Sequence, residues 1–138
     1  MSETATLTRA AELESLPIFR RFIEDACQRC GVDEQTCFNL KLAVDEAATN
    51  VITHGYAGMD PGSMILELRF DPQQVVITLT DFGRPFEPSE APKPDLSAAL
   101  EDRPIGGLGL FFIYSVMDKV DYSADEQGNR LTLTKRLA

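Results

Sequence analysis

Three groups of residues in this sequence have types and spacings suited to chemistry. Glu46, Asn50 and His54 stand four apart in LKLAVDEAATNVITHGY, residues 40–56. Four residues is close to one helical turn, so the spacing lines up a carboxylate, a carboxamide and an imidazole along one helix edge. Small alanines flank them and leave room for something to lie against that edge. The second group is Asp81-x-Gly83-x-Pro85-Phe86, at the end of an alternating stretch that reads as a strand. The third is Gly106-Gly107-Leu108-Gly109-Leu110, which leads into the apolar run FFIYSVM. Taken singly, each has a plain structural reading: a solvated helix face, a turn and a helix entry.

Together the three groups suit a nucleotide. An aspartate at a strand end accepts a hydrogen bond from an exocyclic amine such as that of adenine. Gly83, lacking a Cβ, lets the ring approach the backbone. A glycine-rich helix start presents unpaired N–H groups to phosphates. Asn50 offers a neutral oxygen to Mg2+, which takes oxygen ligands and keeps phosphate oxygens and waters around it. Glu46, one turn away, is placed to take a proton from a water or hydroxyl attacking the γ-phosphate. Other readings lack parts. The DFG at residues 81–83 comes without the HRD loop and strand lysine of eukaryotic-type protein kinases. No GxxxxGK[ST] loop is present, and GGLGL does not have dinucleotide spacing. The single histidine has no paired nucleophile.

Periodicity indicates the elements that must hold these groups. Leu40, Val44, Ala47, Ala48 and Val51 recur at three- and four-residue steps, which predicts an amphipathic helix. Asp33 is its N-cap and Gly55 its end. An earlier helix is predicted over residues 12–30, with Pro17 in its first turn and Gly31 as its stop. A short edge strand precedes it at 4–8. Residues 64–70 and 75–80 alternate apolar and polar around DPQQ, which predicts a β-hairpin. The Pro- and acid-rich segment 89–103 reads as a lid carrying a short helix at 96–101. A helix at 108–117 and strands at 119–124 and 130–136, joined by DEQGN, complete the order β, α, α, β, β, α, β, β. The expectation is one α+β domain over residues 1–138. Its fold would be a two-layer α/β sandwich, with a mixed, mainly antiparallel sheet and helices on one face.

Composition narrows the partners. A formal net charge of -9 over 138 residues argues against direct nucleic-acid binding, which rests on a basic footprint. It suits a basic protein partner or a Mg-bound ligand. The N-terminal stretch lacks the pattern of a secretory signal, and no apolar run reaches the ~18 residues of a membrane span. No membrane association and a cytoplasmic location are therefore expected. Cys27, Cys30 and Cys37 are too few for a zinc site and read as buried or half-buried thiols.

The sequence resembles the GHKL ATPase superfamily and, more closely, the small anti-sigma factor serine/threonine kinases of bacteria. LAVDEAATNVITHGY is similar to the family's N box, DFGRPFEP to its first glycine box and GGLGLFFI to its second. GNRLTLTKRL is similar to its last strand. The resemblance covers nearly the whole chain and implies a Bergerat fold binding ATP and Mg2+. It implies Glu46 as catalytic base and Asn50 as Mg2+ ligand. It also implies Asp81 as the adenine-binding aspartate with Gly83 beside it. Pro85 and Phe86 fall in the first glycine box. Gly106, Gly107, Leu108, Gly109 and Leu110 fall in the phosphate loop, and Arg103 is a γ-phosphate contact in the lid. The family phosphorylates a serine on a STAS-domain anti-anti-sigma protein, holds a sigma factor or other regulator in the alternative complex, and often forms a homodimer. An alternative function stays open: a nucleotide-gated binding module that sequesters a partner without phosphoryl transfer.

Overall fold

The computed structural model describes residues 2–85 and 113–137. Within them the chain runs β1 (Glu3–Ala10), α1 (Ser15–Cys30), α2 (Glu34–Asn50), β2 (Ser63–Phe70), β3 (Gln74–Asp81), β4 (Lys119–Asp125) and β5 (Gly128–Arg136). Residues 113–116 are helical. The strands form one five-stranded sheet in the order β1-β2-β3-β5-β4. Every described pairing is antiparallel.

Alternation along the strands sorts the sheet into two faces. Met64, Leu66, Leu68 and Phe70 of β2, Val75, Ile77 and Leu79 of β3, and Leu131 and Leu133 of β5 are buried on one face. The helices supply the matching layer through Phe19, Ile23 and Ala26 of α1 and Leu40, Ala43, Val44, Ala47 and Ala48 of α2. Each large side chain buried here contributes roughly 1.5–3 kcal/mol against leaving it in water. The other face carries Thr78, Thr80, Thr132 and Thr134, all partly exposed. The two-layer arrangement expected from the pattern is therefore present, with β-branched polar residues on the outward side.

The local signals act as read, with shifted edges. The first helix begins at Ser15 rather than residue 12, because residues 12–15 form a turn closed by Ser15 N–H to the Glu12 carbonyl at 3.0 Å. Pro17 lies in the first turn, where its missing N–H leaves no helix bond unmade. Gly31 ends the helix at φ 71, a left-handed conformation that favours glycine. Asp33 caps α2 by accepting the Thr36 N–H at 2.7 Å. Such caps are worth about 1 kcal/mol.

The long helix does not run to Gly55 as an α-helix. After Asn50 it widens into a π turn over Val51–Gly55, closed by Tyr56 N–H to the Val51 carbonyl at 3.0 Å. The widening falls at three consecutive β-branched residues, Val51, Ile52 and Thr53. Such residues lose rotamer freedom in an α-helix. Thr53 Oγ1 also donates back to the Thr49 carbonyl at 2.8 Å, a bond that bends helices. His54 lies in this π turn and is exposed, whereas Glu46 and Asn50 stand one α-helical turn apart in α2.

The cysteines divide. Cys27 and Cys37 are buried, and burial pushes the Cys27 thiol well up; Cys30, expected to be at least half-buried, is exposed. Among the described residues no helix is long and apolar enough to cross a membrane.

Candidate functional site

Asp81 ends β3 on the same face as Val75, Ile77 and Leu79, and is buried with them at 6% exposure. A carboxylate at such a position needs hydrogen bonds. Its Oδ1 accepts the Gly83 N–H at 2.9 Å and Asn129 Nδ2 at 3.0 Å. Asn129 stands directly across from Asp81 in the β3–β5 register and is itself buried at 4% exposure. The same Nδ2 also reaches the Gly83 carbonyl at 2.8 Å. Asp81 Oδ2 has no partner among the described residues.

Gly83 is glycine for a steric reason. A Cβ there would collide with the Gly55 carbonyl. That carbonyl accepts the Arg84 N–H at 2.7 Å. The turn after β3 therefore lies directly on the end of the π turn. Buried Tyr56, the next residue, adds a second tie. Its hydroxyl accepts the Phe82 N–H at 2.9 Å and donates to the Ser63 carbonyl at 3.0 Å. The N-terminal half of the site on α2 and the strand-end half are thus joined through backbone groups of residues 55, 82, 83 and 84.

Between the two halves lies a cleft lined by Ala47 and Asn50 of α2, Leu79 and Asp81 of β3, Leu131 of β5 and Arg84. Its walls are mostly apolar, with a carboxylate on one side and a carboxamide on the other. Asn50 is only 8% exposed, yet its side chain has no hydrogen bond among the described residues. With no side-chain partner among the described residues, Asn50 can offer its oxygen to a ligand. Glu46, one turn before Asn50, is half-buried, and its carboxyl is held above the usual carboxylate range. Burial is the larger cause and the neighbouring Asp45 charge the smaller. Asp45 in turn pairs with Arg20 of α1 at 2.7 Å through Oδ2, while its buried Oδ1 has no partner among the described residues. Among the described residues no three His, Cys, Asp or Glu side chains gather as a metal cluster. A cation here would take its remaining ligands from a bound anion and water, as Mg2+ does with phosphates.

The structure brings Asn50 and Asp81 to one cleft, with Gly83 bonded to Asp81 beside it, while Glu46, one turn before Asn50, is not among the residues that line it. Pro85 is described but exposed. Phe86, Arg103, Gly106, Gly107, Leu108, Gly109 and Leu110 lie outside the described residues, as do the predicted lid and the first turns of the predicted third helix. Sequence reasoning missed two residues. Asn129 was assigned to the DEQGN turn, yet the strand begins at Gly128 and Asn129 shares the buried face of Leu131 and Leu133. A polar residue in phase with an apolar alternation was the available signal. Tyr56 carried no signal beyond closing the helical stretch.

A family model for the histidine kinase-like ATPase domain matches residues 9–135, and the chain belongs to that family. Its relatives there include the serine-protein kinase RsbW of Halalkalibacterium halodurans, 34% identical over 98% of this chain and 84% of the relative. RsbW of Listeria monocytogenes is 30% identical over 98% of this chain and 88% of the relative. The serine/threonine-protein kinase BtrW of Bordetella bronchiseptica is 33% identical over 73% of this chain and 71% of the relative. Each of these three relatives is named a protein kinase. The crystal structure of the RsbU and RsbW domains of a Mycobacterium tuberculosis protein matches 98% of this chain at a TM-score of 0.72 and 17% identity. This chain spans 32% of that longer one, and the likeness concerns fold.

Proposed function

We propose that the protein is an ATP-dependent serine/threonine kinase. In this reading it phosphorylates a STAS-domain anti-anti-sigma protein and controls a sigma factor by switching partners in the cytoplasm. The observation that carries the reading is the buried Asp81 carboxylate, its Oδ1 held by two donors and its Oδ2 without a partner among the described residues, across a mostly apolar cleft from Asn50, whose side chain also has none among them. Relatives with serine kinase names, matched over 84% and 88% of their own length, support the reaction type.

The residues fit the nucleotide and its metal. Asp81 Oδ2 would accept the adenine amine, and the close Gly83 backbone would let the ring lie flat against the turn. The Asn50 oxygen would hold Mg2+, which neutralises phosphate charge when bound. Glu46 would take the proton from the acceptor hydroxyl as that oxygen bonds to the γ-phosphorus of ATP and ADP leaves. Its elevated pKa suits the task, because a base is most effective when its pKa lies near the working pH. Leu79, Leu131 and Ala47 keep water from the base-binding side of the cleft.

The test is transfer from γ-labelled ATP into a phosphatase-treated lysate of the source cells, comparing wild type with Asn50→Ala. The expected result is one small protein carrying acid-stable phosphate with wild type only. Acid-labile phosphate would indicate histidine kinase chemistry instead. If ATP binds and no protein is labelled, including an added STAS-domain substrate, the nucleotide-gated binding module becomes the better reading.

A further inference from the structure

Resting on the reading of the cleft as a nucleotide site, we propose that Tyr56 is a positioning residue for nucleotide binding. Its hydroxyl latches the turn after β3 in the shape that presents Asp81 before any ligand arrives. Three segments meet at that one oxygen: the end of the π turn, the first residue of β2 and the turn itself. The hydroxyl donates to the Ser63 carbonyl at 3.0 Å and accepts the Phe82 N–H at 2.9 Å. A hydroxyl has a single proton, so donation to Ser63 leaves its lone pairs for Phe82. The two bonds therefore orient each other.

The N–H groups of residues 82, 83 and 84 are consecutive, and each goes to a different acceptor. Phe82 donates to the Tyr56 hydroxyl, Gly83 to Asp81 Oδ1 and Arg84 to the Gly55 carbonyl. The Gly83 bond lies inside the turn, and the other two fasten it to residues 55 and 56. The Phe82 N–H belongs to the peptide plane that leaves Asp81, so holding it fixes the chain directly after the carboxylate. Burial adds little at this point, because the Phe82 side chain is half exposed. Asn129 grips the far end of the turn through the Gly83 carbonyl, and Tyr56 grips the near end.

The Tyr56 ring is seated independently of its hydroxyl. Tyr56 is buried, and its ring lies against Gly62, where a Cβ would come within 2.8 Å of ring carbons. Burial also raises the phenol pKa, so the proton that bonds Ser63 is kept. Tyr56→Phe therefore preserves the packing and deletes the latch alone. The Phe82 N–H is then left without its acceptor, and the turn must move to find water. A ligand must order the turn again as it binds, and that cost weakens affinity.

The experiment uses the whole isotope-labelled chain, as wild type and Tyr56→Phe, with ADP and Mg2+ as the probe. Dissociation constants are measured by calorimetry well below both melting temperatures, and amide exchange is read residue by residue by NMR. Tyr56→Phe should bind ADP about tenfold more weakly, the scale of one lost hydrogen bond. Without ligand, its amides at Phe82, Gly83 and Arg84 should exchange faster than in wild type, while those of α1 keep wild-type rates. A merely structural role would lower the melting temperature and leave ADP affinity unchanged. Wild-type ADP affinity in Tyr56→Phe would therefore overturn the assignment and leave the nucleotide reading standing. If Tyr56→Phe does not fold, the ligand-free wild type decides. A protected Phe82 amide supports the latch. A Phe82 amide that exchanges freely until ADP is added means that the ligand orders the turn, which overturns it. Failure of wild type to bind ADP would remove the nucleotide reading and this inference with it.

Discussion

The two sides of the cleft are built in opposite ways. At the end of β3 nearly every polar group is committed: Asp81 Oδ1 to two donors, Asn129 to two acceptors, Tyr56 to two backbone groups, and the Gly55 carbonyl to Arg84. On the edge of α2 the corresponding groups are left open, with Asn50 unpartnered among the described residues and Glu46 half-buried. The first side is stiff in the absence of any ligand, because moving one group breaks several bonds. The second gains its partners only when something binds. In the proposed reading, the committed half chooses the ligand and the open half transforms it. Substitutions on the two sides should therefore fail in different ways.

The largest effect is expected on the open side. Glu46→Gln keeps the shape of the side chain and removes its ability to accept a proton. Phosphoryl transfer should fall by about 10²–10⁴-fold, the usual contribution of a positioned general base, while ATP affinity stays near wild type. Single-turnover transfer and equilibrium binding, measured on the same preparation, separate the two. Transfer at the wild-type rate would take the role of base away from Glu46.

On the committed side the pattern should reverse. In Asp81→Asn the oxygen can still accept from Gly83 and Asn129, so the scaffold keeps its bonds and the melting temperature should change little. The amide nitrogen then replaces Oδ2 and turns a donor toward the ligand's own donor. Affinity for ATP should drop about a hundredfold, combining a lost charged hydrogen bond with two facing donors. Calorimetric binding beside a thermal melt tests both halves of the claim. Normal affinity would move the adenine contact elsewhere.

This contrast also explains what was legible in the sequence. The α2 edge was readable because Glu46 and Asn50 stand one α-helical turn apart, and local spacing fixes relative position inside a helix. The stop at Gly31 and the cap at Asp33 were readable for the same reason, each being a local backbone requirement. Asp81 could be suspected from its place at a strand end. Its partner could not, since Asn129 lies 48 residues later and meets it only through the β3–β5 register. Pairing between distant strands is set by the whole buried face, which no short window contains. The π turn was hidden differently: its residues keep a helical apolar pattern, and the Thr53–Thr49 bond and the close seat of Gly83 against Gly55 that accompany the widening are visible only in the fold.

The smallest expected effect probes how far the open side is tuned from behind. Asp45 pairs with Arg20, yet its charge adds to burial in raising the Glu46 pKa. A base works only when ionised, so a raised pKa places the acid limb of the rate profile at higher pH than an ordinary glutamate would give. Asp45→Asn removes the smaller of the two causes. The acid limb should therefore move to lower pH, with burial still holding it above the position of an exposed glutamate. Stability should follow the same sign: protonation is favoured in the folded state, so the neutral-pH penalty of an ionised Glu46 lessens when Asp45 is gone. Against this gain stands the loss of the Arg20 ion pair, a partly exposed contact worth little by itself. The pH–rate profile of single-turnover transfer separates the outcomes. A limb that moves down ties Glu46 to catalysis through its environment. A limb that stays in place means that Arg20, 2.7 Å from Asp45, already cancels that charge at Glu46; burial alone then tunes the base.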